Sequence, residues 1–235
     1  MPFYFQQFAM EHHRSTMKIG TDALLLSALL PAQKAENVLE IGVGCGVISL
    51  LLAQRYSRAC IHGVEIDFPS VCEAQENYRR SPFKDRLSVQ HISVQDYARS
   101  SVKSYDLIVS NPPFFSHSLK SPLKRRSSAR HSDETLTFQE LFECVSILLT
   151  DGGTFSMIIP PGEMEMLLPQ MAQNGLYIHE DHMIFSRPCK VIRHVLTMGK
   201  ILRKTIFKSF YLRNGEGDFT SEYKNCMSPY LISVK

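Results

Sequence analysis

Short apolar runs that stop at turn residues alternate along the chain with segments whose apolar positions recur every three or four residues. The runs at 37–41, 59–67, 87–94, 105–110 and 153–159 predict buried strands. The segments at 47–53, 135–149 and 163–173 predict helices, and in the last of these Met164, Met166, Leu167 and Leu168 are expected in the core. Two further strands, at 177–185 and 191–198, have little helix potential between them. Strand and helix in alternation predict an α/β fold with a mostly parallel sheet. Ahead of the first strand, Thr21 and Asp22 form a capping-type pair opening an apolar helix. Phe3, Tyr4, Phe5 and Phe8 are expected to pack.

At 235 residues the chain is ample for one α/β core, and no Pro/Gly/Ser-rich linker divides it. A single domain over 1–235 is expected, with an N-terminal lid segment of about 1–30. Six cysteines form no C-x-x-C pair and no zinc-type set with the histidines, so they read as reduced structural thiols, and no metal is expected. No signal-type segment opens the chain, and no apolar run approaches the roughly 20 residues that span a bilayer. A cytoplasmic monomer without membrane association is the expectation.

Chemistry enters at Asn111-Pro112-Pro113-Phe114, where the strand at 105–110 ends. The lone pair of an exocyclic base amine is delocalised into the ring, so the amine is a poor nucleophile. An Asn side-chain oxygen and the carbonyl of the next proline can each accept one N–H and turn that lone pair toward an electrophilic methyl group. The prolines fix φ, and Phe114 offers a face for a base, worth roughly 1–3 kcal/mol.

About seventy residues earlier, Glu40-Ile41-Gly42-Val43-Gly44-Cys45-Gly46 carries a strand into a glycine loop and a helix, a nucleotide-type crevice. The third glycine comes one residue too early for a dinucleotide fingerprint. The pattern resembles motif I of class I S-adenosylmethionine (SAM) dependent methyltransferases, in which Gly42, Gly44 and Gly46 let the backbone approach the cofactor and Glu40 lies beneath it. The strand at 59–67 ends in Glu65-Ile66-Asp67, where a carboxylate can accept from a ribose diol. By the resemblance that role falls to Glu65, with Asp67 in reserve and Ile66 beside the cofactor. At the end of the next strand Ser93 stands where many of these enzymes carry Asp, with Val94 beside the cofactor and Asp96 three residues later, so the adenine contact is left between Ser93, Asp96 and a backbone group.

The whole chain resembles the bacterial tRNA (valine) (adenine(37)-N6)-methyltransferases. Two flanking motifs carry the likeness: Met17-Lys18-Ile19-Gly20-Thr21-Asp22 before motif I, and Ala129-Arg130-His131 after Asn-Pro-Pro-Phe. The resemblance implies a seven-stranded, Rossmann-like sheet with an antiparallel last strand, SAM as methyl donor and tRNA as substrate. It also implies Asn111 close to both ligands, and Lys18 and Thr21 near the cofactor.

The net charge of +3 hides an uneven distribution. No acid lies between Asp106 and Asp133, and Lys120, Lys124, Arg125, Arg126 and Arg130 crowd the segment after Phe114, where they are expected to bind RNA phosphates. A second acid-free stretch, from His182 to Gly215, holds Arg187, Lys190, Arg193, Lys200, Arg203, Lys204, Lys208 and Arg213. If the strands bring these to one edge, they form a further phosphate surface. Guanine N2 of ribosomal RNA and a release-factor glutamine present the same planar N–H geometry and are the alternative substrates. A non-catalytic SAM- or RNA-binding module is the alternative of another class.

Overall fold

The computed structural model describes residues 2–15, 18–31, 34–112, 136–187 and 190–233. A two-residue hairpin, β1 (Phe3–Tyr4) and β2 (Ala9–Met10), precedes α1 (Thr21–Leu29). The α/β run follows as β3 (Asn37–Ile41), α2 (Val47–Arg55), β4 (Cys60–Glu65), α3 (Phe68–Arg80), β5 (Leu87–His91), α4 (Val94–Ser100) and β6 (Tyr105–Ser110). Then come α5 (Phe138–Leu148), β7 (Leu149–Ile159), α6 (Met164–Gln173), β8 (Tyr177–Arg187), β9 (Lys190–Gly199), β10 (Ile206–Tyr211) and α7 (Ser221–Met227).

The main sheet has the order β10-β8-β9-β7-β6-β3-β4-β5. The strands from β3 to β7 are parallel, and β9 inserts antiparallel between β7 and β8. This agrees with the expected α/β sheet and its antiparallel strand, but there are eight strands where seven were expected. The extra one, β10, lies at the edge, parallel to β8. Its Ile-Phe-Lys-Ser-Phe-Tyr sequence buries only Phe210, so no two-residue alternation announces it.

One apolar cluster fills the face covered by α1, α2, α3 and α7, around Leu25, Leu51, Tyr78 and Met227. The other lies under α4, α5 and α6, around Phe142, Phe155, Leu167 and Met171.

Four expectations need correcting. Thr21 and Asp22 do not cap α1: Gly20 is the N-cap, with no side-chain cap, and Asp22 instead meets Arg193. In α6 only one face is buried, so Leu167 packs while Met166 and Leu168 are exposed. The run at 87–94 is a strand only to His91, because Ser93 caps α4 and Val94 is already helical. Phe3, Phe5 and Phe8 pack as expected, with ring centroids 4.8 and 4.6 Å apart, whereas Tyr4 is exposed.

Candidate active site

The chain winds from β3 outward to β5 and then returns to place β6 on the other side of β3. That reversal opens a crevice beyond the carboxyl ends of β3 and β6, where open α/β sheets take their ligands. Gly42 and Asn111 lie at these ends, and Glu65 lies at the end of the neighbouring β4.

The glycine loop has left-handed φ at Gly42 (78°), Gly44 (55°) and Gly46 (86°), the region that favours glycine. A Cβ at Gly46 would stand 2.6 Å from a ring carbon of Tyr78, so this glycine serves close packing against α3. A Cβ at Gly42 or Gly44 would meet nothing within 4 Å, which leaves that side of the loop open to a ligand.

Glu40 lies fully buried under the loop and accepts from the Ser49 backbone N–H (2.8 Å) and from its hydroxyl. It thus holds the first turn of α2, a favourable place for a carboxyl group. Burial pushes its pKa up to about 8 against the pull of the Ser49 bonds. Glu65 accepts from Gly44 N (2.9 Å) through one oxygen and from Asp67 N (2.9 Å) through the other, tying β4 to the loop. Asp67 caps α3, accepting from Ser70 N at 3.0 Å and Ser70 Oγ at 2.5 Å, so its carboxylate is engaged away from the loop. Beside them Ile66 and Phe68 are exposed apolar side chains. Ser93 Oγ accepts from Asp96 N and donates to Asp96 Oδ2 (2.8 Å), so its hydroxyl is used within the cap.

The N-terminal arm is fastened over the loop by α3, a connection the sequence reading missed. Glu73 Oε1 accepts from His13 N (2.8 Å) and Arg14 N (2.9 Å), and Oε2 accepts from Ser15 N (2.9 Å). Burial raises the Glu73 pKa, but the hydrogen bonds from Arg14, Ser15 and His13 outweigh it and leave the carboxyl below its ordinary value. Asn77 donates to Glu11 O (2.8 Å) and Cys45 O (2.9 Å), joining arm and glycine loop directly. The available signal was two polar residues four apart in a helix that also carries Ala74 and Tyr78 on its buried face. Lys18 Nζ folds back onto His13 O and Ser15 O at 2.9 and 3.3 Å.

At the end of β6, Asn111 is buried and its Oδ1 has no hydrogen-bond partner among the described residues. It lines a cavity of about 420 Å³ with Lys18, Thr21, Asp22, Ile192 and Arg193. Arg193 Nε donates to Asp22 at 2.9 Å, joining α1 to β9 across the cavity wall. The structure therefore brings Lys18, Thr21 and Asn111 together on one cavity, while Gly42, Gly44, Gly46 and Glu65 gather at the glycine loop, which Asn77 joins to the N-terminal arm. Pro112 follows Asn111 directly, while Pro113, Phe114, Lys120, Lys124, Arg125, Arg126 and Arg130 lie outside the described residues. Another cavity, of about 290 Å³, is lined by His62, Ser88, Tyr97 and Lys103 and shares none of these residues. Among the described residues no cluster of three or more His, Cys, Asp or Glu is arranged to hold a metal ion, and no helix is long and apolar enough to cross a membrane.

The glycine cradle open on its ligand side, the apolar surface at Ile66 and Phe68, and the unpartnered buried acceptor at Asn111 fit SAM and a planar amine. Fold and site together define a class I methyltransferase with SAM as methyl donor. The family model "Methyltransferase small domain" matches residues 13–161. Solved structures agree at the level of the fold. A predicted O-methyltransferase from Agrobacterium tumefaciens superposes with a TM-score of 0.70 at 17% identity, over 92% of this chain and 99% of its own. A methyltransferase from Pyrococcus furiosus gives 0.59 at 18% identity, over 83% and 90%.

Among curated relatives, the tRNA1(Val) (adenine(37)-N6)-methyltransferase of Pedobacter heparinus is 35% identical over 98% of both chains. Its namesake in Bacteroides fragilis is 39% identical over 79% of this chain and 78% of its own. The chain belongs to the tRNA1(Val) (adenine(37)-N6)-methyltransferase family.

Proposed function

We propose that the protein methylates the N6 amine of adenine 37 in a valine tRNA, the reaction named for its relatives. The observation that carries the mechanism is Asn111 Oδ1, a buried acceptor on the wall of a cavity with no partner among the described residues. A buried polar group left unpaired costs roughly 1–3 kcal/mol, so a ligand N–H is favoured there.

SAM supplies an electrophilic methyl group on a sulfonium centre. The backbone around Gly42, Gly44 and Gly46 approaches the cofactor's amino-acid end, while Glu40 holds the loop from below through α2. Glu65 accepts from the ribose, Ile66 covers the cofactor's base, and the Ser93–Val94 turn borders that base. Lys18 and Thr21 close the site from the N-terminal segment, for which we propose a lid role over about residues 1–30 of a single domain. Asn111 Oδ1 and the Pro112 carbonyl each accept one N–H of the target amine, and Pro113 keeps that carbonyl in place. Phe114 stacks on the ring. The amine nitrogen would form its bond to the methyl carbon as the sulfonium–methyl bond breaks, leaving S-adenosylhomocysteine as the neutral thioether, and would release one proton to solvent, so no strong base is needed in the pocket.

The target base must leave its stack, which costs least in an unpaired loop. Lys120, Lys124, Arg125, Arg126 and Arg130 hold the surrounding phosphates. We infer that the enzyme acts as a monomer in the cytoplasm, where its tRNA substrate resides.

The test is transfer of labelled methyl from SAM to unmodified tRNA, ribosomal RNA and release factor, with the product identified by mass. N6-methyladenosine at position 37 of tRNA is expected. N2-methylguanosine or methylglutamine would reassign the substrate, and cofactor binding without transfer would overturn catalysis.

A further inference from the structure

The eight basic residues between His182 and Gly215 do not share one edge. Because β9 runs antiparallel to β7, and β8 and β10 run opposite to β9, Arg187, Lys190, Arg193 and Arg213 fall at the sheet edge where β6 delivers Asn111. Lys200, Arg203 and Lys204 fall at the opposite edge. At the Asn111 edge Arg193 is bound to Asp22, and Arg213 donates to Gly217 O and lies 4.1 Å from the centre of the Phe219 ring.

Arg187 and Lys190 differ from these. They are exposed, face each other directly across the β8–β9 hairpin, and have no ion-pair partner among the described residues. Like charges opposite one another in an antiparallel pair are destabilising, a cost that a bound anion relieves. Lys190 is three residues from Arg193 on the cavity wall, a reach of roughly 10 Å along a strand. Next to this tip Tyr211 pairs in register with Phe185, their rings stacked at 4.8 Å and 19°, and Tyr211 is 37% exposed. Cationic side chains beside an accessible aromatic ring are the means by which proteins hold unpaired nucleic acid, neutralising phosphates and stacking bases.

We propose that the paired ends of β8 and β9, Arg187 and Lys190, together with the adjoining Tyr211, grip the unpaired RNA nucleotides that flank the target base. The assignment rests on the tRNA reading above and adds the surface that orients the loop over the Asn111 cavity.

The experiment compares the full-length protein with Arg187→Gln/Lys190→Gln and with Tyr211→Ala, titrating each with an anticodon stem-loop RNA at several salt concentrations and, separately, with SAM. Losing two single-strand phosphate contacts should make the plot of log affinity against log salt shallower by about 1.4 and weaken RNA binding at low salt by about 10-fold or more. Tyr211→Ala should weaken RNA binding by roughly 10-fold without changing that slope. SAM affinity should hold in all three proteins. An unchanged slope and RNA affinity in the double variant would overturn the proposal, as would a parallel loss of SAM and RNA binding, which marks a structural role alone. The readout is binding, so it is separable from the tRNA reading, which stands or falls on the methylated nucleoside made by the wild-type protein.

Discussion

The two halves of the crevice are built in opposite ways. On the glycine-loop side the carboxylates are engaged by the protein's own chain: Glu40 by Ser49, Glu65 by Gly44 and Asp67, Asp67 by Ser70, and Glu73 by His13, Arg14 and Ser15. On the β6 side the buried Asn111 Oδ1 has no partner among the described residues, and it lines a cavity. Carboxylates tied by these bonds make a rigid cradle even though Glu40 Oε1 has no partner among the described residues, whereas Asn111 Oδ1 lines a cavity and keeps a cost that the correct ligand removes. The cofactor half is therefore assembled in advance, and the acceptor half is completed by the substrate.

Asn111→Ala breaks this contrast at its sharpest point and carries the largest expected effect. Without the acceptor the amine loses its orientation, so single-turnover transfer should slow by about 100-fold or more. SAM binding by calorimetry should weaken far less, because the cradle keeps its internal bonds. Equal losses of transfer and cofactor affinity would mean that the two halves are one unit.

The opposite break is Glu73→Gln, which leaves Asn111 intact and loosens the preassembled side. The amide keeps one acceptor oxygen but turns an NH₂ group toward backbone N–H donors, at an expected cost of about 2–4 kcal/mol in chemical denaturation. The Glu73 carboxyl sits below its ordinary pKa in the folded protein, so its contribution is present above the unfolded-state value and fades as pH falls through the folded-state value. The gap between wild type and variant should close on acidification. A gap that stays constant down to strongly acid pH would show that the arm is not held by charge.

These experiments also mark where the sequence was legible. Gly42, Glu65 and Asn111 could be read because each belongs to a strand end whose chemistry is written in adjacent residues. Glu73 could not, since its partners are backbone N–H groups, and His13, one of them, lies 60 residues away with an unremarkable side chain. Ser93 was read as the end of a strand because a cap and a strand end use the same residue types, and only the helical turn that follows separates them. The basic stretch from 182 to 215 reads as one patch in the chain, but the antiparallel insertion of β9 sends its members to opposite edges. Local motifs survive folding as written, whereas charge patches depend on strand direction.

The remaining effect is on pH dependence and concerns Glu40, the other buried acid of the preassembled side. Burial lifts its pKa from 4.5 to about 8, Ser49 lowers it in part, and the Glu65 charge adds a smaller rise. Between these values the folded protein holds a proton that the unfolded chain has released. The contribution to stability is thus complete below about 4.5, declines as pH rises, and is gone above about 8. This is the reverse of Glu73, although both acids are buried within the same half, because Glu40 has one buried oxygen without a partner among the described residues while Glu73 has both oxygens bonded to backbone N–H groups. Glu40→Gln cannot take up or release that proton. Urea denaturation at pH 5, 6.5 and 8 should show the wild type losing stability relative to the variant at each step. Parallel pH profiles would mean that Glu40 stays ionised beneath the glycine loop, so that the cradle carries a fixed negative charge.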